Sequence, residues 1–229
     1  MLGFPRAHHR VTDSTNQRAQ ELAASGAPHG TLVTAHAQHA GRGRQGREWI
    51  APPGSAVLMS LLLRDFDELL PLAASVAVSE ACEAAGVNCA IKWPNDVWVN
   101  GRKVAGILVE GRPQEGWAVL GIGLNVSTSS EELPDELQET ATSIGIAAGR
   151  SPSVGGVLDT LLGTLESRLA DDREAILAAW GERDALRGRT VRWREGQGVA
   201  VGVDASGALQ VDTEAGRVAL EAGEVHLLR

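Results

Sequence analysis

The sequence predicts an α+β protein in two parts: a larger domain over residues 1–186 that mixes helices and strands, and a small β module over 187–229. Three observations predict it. Helical signals recur in four separated stretches, and strand-like segments lie between them, among them a nearly continuous apolar run over residues 55–63. The region 88–126 is dense in strand signals. After Gly188 the chain changes to short strands punctuated by turns such as Asp204-Ala205-Ser206-Gly207. At 229 residues and 43% hydrophobic content, the chain can bury a core and hold one sizeable domain with one small module.

The elements follow in order. Asp13, Ser14, Thr15 and Asn16 are capping residues that open a helix ending near Gly26, with Ala19, Leu22 and Ala23 on one face. Residues 30–37 form a short β-type run, and residues 41–47, Gly-Arg-Gly-Arg-Gln-Gly-Arg, have neither period and make a loop. The apolar run at 55–63 is too short to span a bilayer and fits a central buried strand, although periodicity alone leaves a helix open. The alanine-rich span 68–85 reads as a helix stopped by Gly86. Asn100-Gly101 marks a tight hairpin turn, which puts Lys103 on a strand just beyond it. Simple alternation then places Lys103, Ala105 and Ile107 on one face. The polar, acidic stretch 127–139 is expected to be an exposed connection, and 154–169 and 173–186 show helical spacing. No internal repeat or low-complexity tract is present.

A formal net charge of -8 argues against a surface that wraps nucleic acid, so any phosphate chemistry must be local. Cys82 and Cys89 are too few for a disulfide framework and point to a reducing compartment. No stretch reaches the roughly 18 apolar residues of a membrane span, and the first residues lack a signal-peptide layout, so a cytoplasmic, non-membrane protein is expected. The six histidines show no metal-ligand spacing, and no Ser/His/Asp or Cys/His arrangement stands out, so no protein metal site is expected.

Three constellations carry chemistry. In the loop, Arg42, Arg44 and Arg47 repel one another unless they face solvent or an anion, while the glycines let backbone amides approach a ligand. Standing alone it reads as a solvated basic loop, and it matches neither the phosphate-loop nor the dinucleotide pattern. The second is Lys92-Trp93-Pro94-Asn95-Asp96 followed by Lys103 and Gly106-Ile107-Leu108-Val109-Glu110. A lysine sharing a face with small and apolar residues needs an anion; the plain alternatives are an exposed lysine, a Lys92–Asp96 ion pair and a packed Trp93-Pro94 turn. In the third, Gly121-Ile122-Gly123-Leu124-Asn125, alternate glycines weaken a strand and mark close approach of a ligand or backbone, or else a bulge. Asn125 carries both a donor and an acceptor for a base edge. For Ser14, Thr15 and Asn16 the plain alternative is a helix cap, and for Gln38 a surface side chain.

In this order and at these separations, these segments resemble the biotin–protein ligase family, and the resemblance covers nearly the whole chain. It implies a class II synthetase-like fold, a central mixed sheet flanked by helices, with an SH3-like β-barrel at the C-terminal end. It implies biotin and ATP as substrates, Mg²⁺ on the phosphates, and a biotin carboxyl carrier domain as acceptor. By the same resemblance Ser14, Thr15, Asn16 and Gln38 surround the ureido ring of biotin. Gly41, Arg42, Gly43 and Arg44 close over the biotin carboxylate and the adenylate phosphate, and Gly106 lies where the backbone passes close to biotin. Lys103 and Arg44 are the catalytic pair. Arg42, Arg44, Arg47, Trp49, Lys92, Asn95, Asp96, Lys103 and Asn125 are expected on the ATP side. Only twelve residues precede Asp13, too few for the DNA-reading module of some members, so a short form without DNA binding is expected, as a monomer or homodimer. The end, His226-Leu227-Leu228-Arg229, departs from the Ser-Leu-Arg usual in the family, which leaves the ATP-side role of Arg229 open. Two other readings are a lipoate or octanoyl transferase of the same fold and a noncatalytic adaptor that grips RNA or a phosphoprotein.

Overall fold

The structure, a computed structural model, describes residues 1–229 except Ala222, Glu224 and Arg229 and the side chain of Pro113. Arg229 therefore lies outside the described residues. The chain runs β1 (Arg6–Thr12), α1 (Thr15–Ala24), β2 (Leu32–Gln38), β3 (Ala56–Leu63), α2 (Leu70–Ala84), β4 (Ala90–Lys92), β5 (Asp96–Val99), β6 (Arg102–Arg112) and β7 (Trp117–Asn125). It continues α3 (Ile144–Ala148), α4 (Val154–Arg168), α5 (Arg173–Gly181), β8 (Thr190–Trp193), β9 (Gly196–Val203), β10 (Leu209–Thr213), β11 (Gly216–Leu220) and β12 (His226–Leu227).

The apolar run at 55–63 becomes β3, and its position in the fold explains its composition. All eight residues are buried because β3 lies in the interior of a seven-stranded sheet, order β1-β2-β3-β7-β6-β5-β4. Only β1 and β2 pair in parallel, so the sheet is mixed. Along β3, Val57, Met59, Leu61 and Leu63 enter the core formed with α2 and α4, whereas Leu62 packs with Ala19 and Ala23 of α1. Helices thus cover both faces. Each fully buried aliphatic side chain there contributes roughly 1.5–3 kcal/mol relative to exposure. Ser60 is the one polar residue of the strand, fully buried, and lies on the α1 side between Leu58 and Leu62.

The second sheet is antiparallel, order β11-β10-β9-β8-β12. It packs on α2 and α5 through a core that includes Leu69, Leu72, Val76, Trp180, Val191 and Leu209. Trp93 belongs to that core, and its Nε1 donates to Gly207 O at 3.0 Å. The turn before β5 is thereby pinned to the C-terminal sheet.

Three local expectations change in detail, and that of the Asn100-Gly101 hairpin turn holds. Ser14 is the residue at the start of α1, but its side chain makes no capping hydrogen bond; Asp13 Oδ1 instead accepts the Ser14 N–H at 2.8 Å. Residues 127–139 are largely exposed, yet Leu133 is buried, because the stretch folds back toward β6. Asn100 and Gly101 have φ of 51° and 78°, the left-handed pair that a two-residue hairpin demands. Simple alternation fails just after that turn: Val97 pairs with Ala105 but Trp98 pairs with Lys103, so Val104 is an extra residue, a β-bulge. The bulge turns Lys103 away from the face of Ala105 and Ile107, which both enter the core, and onto the face of Gly106.

Candidate active site

A cavity of about 450 Å³ opens on the α1 side of the large sheet, within the range of small-ligand sites. Its walls come from the start of α1, the end of β2, the arginine-glycine loop, β3, β5, β6, β7 and the segment around Leu133 to Ala141.

One end is neutral and polar. Gln38 Oε1 accepts from Thr15 N at 2.7 Å and stands 3.0 Å from Thr15 Oγ1. Ser60 Oγ lies 2.8 Å from Thr15 Oγ1 and 2.5 Å from Asn16 Oδ1, and Asn16 Nδ2 donates to Glu110 Oε2 at 2.8 Å. Ser14, Thr15, Asn16 and Ser60 are all buried. Burial in a low dielectric makes such a network rigid, because each lost partner is costly. Just outside it, the Asp13 carboxyl is held below the usual carboxylate range by the Ser14 N–H first, then by the Thr12 hydroxyl, with Arg18 nearby. The need for Gly121 is steric: a Cβ there would overlap the Asn16 carboxamide. A Gly121→Ala variant is expected to fold with Asn16 displaced and with ligand affinity at this end cut at least about tenfold, roughly the worth of one hydrogen bond to a buried group. Calorimetric titration of biotin, the ligand that the resemblance implies, beside a melting curve checks it.

The other end is charged. Lys103 Nζ pairs with Asp96 Oδ1 at 2.7 Å and stands 5.7 Å from the Trp49 ring centroid. Asp96 thus pairs with Lys103, where the sequence offered Lys92; Lys92 Nζ lies over the Trp98 ring at 5.2 Å. A Cβ on Gly106 would press on Lys103 and Trp49, and one on Gly123 would overlap the Trp49 indole. The alternate glycines of β7 therefore admit two side chains, Asn16 and Trp49, rather than another backbone. Asn125 Nδ2 donates to Thr142 O at 3.0 Å. Asn125 Oδ1 and Trp49 Nε1 are buried with no hydrogen-bond partner among the described residues. Such orphaned groups typically cost about 1–3 kcal/mol each, which a ligand bearing the matching donor and acceptor would recover.

The loop between the two ends is not simply solvated. Arg44 Nη1 donates to Asn95 Oδ1 at 3.1 Å and Nη2 to Gly223 O at 3.4 Å. Arg42 Nη2 donates to Gln17 Oε1 at 2.8 Å, and Nη1 lies 3.6 Å from Glu110 Oε1. Arg47 is exposed at the rim.

Of the residues expected at the site, Ser14, Thr15, Asn16, Gln38, Arg42, Gly43, Arg44, Arg47, Trp49, Lys92, Asn95, Asp96, Lys103, Gly106 and Asn125 all line this one cavity. Gly41 does not; it stands at the loop base, where a Cβ would overlap the Trp49 carbonyl. Sequence reasoning missed Ser60 and gave Glu110 no role of its own, although both join the network behind the cavity; it also missed Leu133, Leu137, Thr140 and Ala141, which close one wall. That wall is fixed by Lys103 N donating to Thr140 O and Thr142 N donating to Lys103 O, both at 2.8 Å. A lone serine within β3 was the available signal for the first; polar composition hid the last four.

Residues 8–127 match the model of the biotin/lipoate A/B protein ligase family, and residues 187–228 match the biotin protein ligase C-terminal domain. The chain is 38% identical to the bifunctional ligase/repressor BirA of Bacillus subtilis over 99% of its own length and 75% of that protein. It is 35% identical to the biotin–[acetyl-CoA-carboxylase] ligase of Mycobacterium tuberculosis, covering 95% of this chain and 87% of the other. Among solved structures, the biotin protein ligase of Aquifex aeolicus in complex with biotin and ATP superposes with a TM-score of 0.85 at 30% identity, covering 98% of each chain.

Proposed function

Because the chain belongs to the biotin/lipoate A/B protein ligase family, we propose that it joins biotin to ATP as biotinyl-5′-AMP and passes the biotinyl group to a lysine of a biotin carboxyl carrier domain. Residues 1–186 would hold biotin and ATP, with 187–229 as the accessory β module. One observation carries the reading: a single cavity joins a neutral hydrogen-bonding end to a cationic end at Lys103 and Arg44.

Ser14, Thr15, Asn16 and Gln38 suit the ureido ring, a neutral group with two N–H donors and one carbonyl acceptor. Arg42, Gly43 and Gly106 also line the cavity, and the valeryl chain would run between its two ends. At the far end the biotin carboxylate attacks the α-phosphorus of ATP, a new C–O–P linkage forms, and pyrophosphate leaves. Two anions must meet, so preorganised cations have the largest effect, and Lys103 and Arg44 line that end with Lys92 and Arg47. The orphaned Asn125 Oδ1 and Trp49 Nε1 offer an acceptor and a donor to the adenine edge. Mg²⁺ would be held mainly by the phosphates, since among the described residues no group of three or more His, Cys, Asp or Glu side chains is placed to hold a metal ion. A neutral acceptor amine then attacks the activated carbonyl and AMP leaves with the bonding electrons; positioning supplies much of this step.

A lipoyl or octanoyl head would leave the neutral network unpaired, because neither carries an amide-type donor or acceptor, and sites reject ligands that strand their buried polar groups. No helix among the described residues is long and apolar enough to cross a membrane. Purified protein with biotin, ATP and Mg²⁺ is expected to release pyrophosphate only when both substrates are present and to label a carrier domain on lysine. No biotin-dependent pyrophosphate exchange, and no labelling of several carriers, would overturn the proposal.

A further inference from the structure

Lys92 and Trp98 both line the cavity, but the reaction as described gives Trp98 no task and Lys92 no particular atom to meet. The hairpin of β4 and β5 brings them together. In an antiparallel pair, residues directly opposite share a face, as do residues two apart along one strand. Lys92 pairs with Asp96 and Ala90 with Trp98, so Lys92, Asp96 and Trp98 share one side, while Ile91, Val97 and Val99 are buried on the other. After the bulge at Val104, Lys103 is the residue of β6 opposite Trp98, and it joins them. Two ammonium groups thus rise from one face of the sheet, on β4 and on β6, with β5 between them.

The partners of the two lysines differ in charge. Lys103 Nζ meets Asp96 Oδ1 at 2.7 Å, whereas Lys92 Nζ lies over the Trp98 ring at 5.2 Å. The face of an indole attracts a cation through its quadrupole and carries no net charge. It therefore orients the ammonium without adding the repulsion that a carboxylate presents to an arriving phosphate. Orientation matters because a lysine side chain has much rotamer freedom to lose when it grips a ligand.

Place on the sheet decides which phosphate Lys92 meets. Across this part of the cavity the strands run β3-β7-β6-β5-β4. The neutral network sits at β3 and β7, through Ser60 and the approach of Asn16 to Gly121, and Lys103 stands on β6. Lys92, on β4, is at the far edge. In the displacement at the α-phosphorus, the carboxylate oxygen bonds as the bond to the bridging oxygen of the β-phosphate breaks, and entering and leaving oxygens lie roughly in line. A carboxylate arriving from the β3–β7 side drives the leaving group, with its electron pair, toward β5 and β4. Neighbouring strands lie roughly 4.8 Å apart, so the roots of the two lysines are roughly 10 Å apart. Long side chains narrow that gap to the span of a triphosphate, with the α-phosphate at Lys103 and the outer phosphates at Lys92.

We propose that Lys92 forms a subsite for the departing pyrophosphate, the β- and γ-phosphates of the nucleotide, and that Trp98 is a positioning residue acting through this lysine. The inference rests on the adenylating reading of the cavity.

The test measures KM for pyrophosphate in the biotin-dependent exchange reaction of the whole protein, at fixed free Mg²⁺, beside KM for biotin in the same assay. Lys92→Met is expected to raise KM for pyrophosphate at least about tenfold, the loss of one charge-assisted contact, and to move KM for biotin far less. Trp98→Leu should raise it about fivefold, and Trp98→Phe, which keeps a ring face, should recover most of that. Because Trp98 acts through Lys92, the double variant Lys92→Met/Trp98→Leu should resemble Lys92→Met alone. An unchanged KM for pyrophosphate in Lys92→Met, or an equal rise in both KM values, would overturn the subsite. Additive effects in the double variant, or no rescue by Trp98→Phe, would overturn the positioning role of Trp98. A wild-type protein that shows no biotin-dependent exchange would overturn the functional reading, and this inference with it.

Discussion

Lys103→Met is expected to slow biotinyl-adenylate formation on the order of 10²-fold or more, the cost of removing one preorganised donor from a developing anion, while biotin binding weakens far less. The reason lies in what the lysine faces. Two unit charges 4 Å apart interact by about 4 kcal/mol at an effective dielectric near 20, so the approach of carboxylate to α-phosphate is opposed by a term of that order unless a cation offsets it. Lys103 Nζ is held for this by Asp96 at 2.7 Å and by the Trp49 ring. Removing the amine also leaves the Asp96 carboxylate facing the incoming anions, which adds repulsion that binding of neutral groups would not feel. A Lys103→Met/Asp96→Asn double variant should consequently recover part of the rate. Rapid-quench measurement of adenylate in a single turnover, beside biotin affinity by calorimetry, separates the two effects. Adenylation at the wild-type rate would return Lys103 to the status of a surface cation.

The same lysine shows what could and could not be read from the chain. That it follows a tight turn was legible, because Asn-Gly at residues 100 and 101 encodes two left-handed φ angles. Its face was not legible. Strand alternation has period two, and a single extra residue, Val104, inverts every assignment before it. The seven-stranded order is likewise absent from local pattern, since pairing β3 with β7 joins residues such as Val57 and Leu124 that are far apart in sequence. The family resemblance supplied the mixed sheet; periodicity supplied only the helices and strands.

Glycines gave the clearest signals and were misread in one respect. Gly121 and Gly123 do mark close approach, but what approaches is the carboxamide of Asn16 and the indole of Trp49. A strand with two missing side chains thereby receives one residue from α1 and one from the loop, which brings both ends of the cavity onto β7. Composition told only part of the story at residues 127–139, which are largely exposed as expected. Their acidity suggested an exposed connection, yet Leu133 and Leu137 line the cavity because the backbone of Lys103 holds Thr140 and Thr142 against β6. Two apolar residues in an acidic stretch carry little weight in any window average.

Arg44→Gly is expected to leave biotinyl-adenylate formation in place but to release the intermediate into solution. In the structure Arg44 ties the loop, among the described residues, to Asn95 Oδ1 on the sheet side and to Gly223 O in the bend between β11 and β12. Gln45 and Gly46, next in the chain, have φ of 57° and 74°, so the loop turns sharply just after this anchor. Closing such a loop costs conformational entropy that anchoring contacts and the bound anion must offset. With glycine, both anchors vanish, the unfavourable entropy rises, and the charged phosphate loses a guanidinium partner. The Lys103–Asp96 pair makes no contact through the Arg44 anchors, so the first half-reaction retains its main cation. The lid is then open for a larger fraction of the time, and the adenylate, a free acylating agent, escapes. Bystander proteins in the same tube should be biotinylated on lysine, more with added biotin and less with a competing amine, while pyrophosphate release with biotin continues. Loss of all pyrophosphate exchange would assign Arg44 to the phosphoryl step itself. Adenylate release and bystander labelling at wild-type levels would show that neither anchor matters to closure.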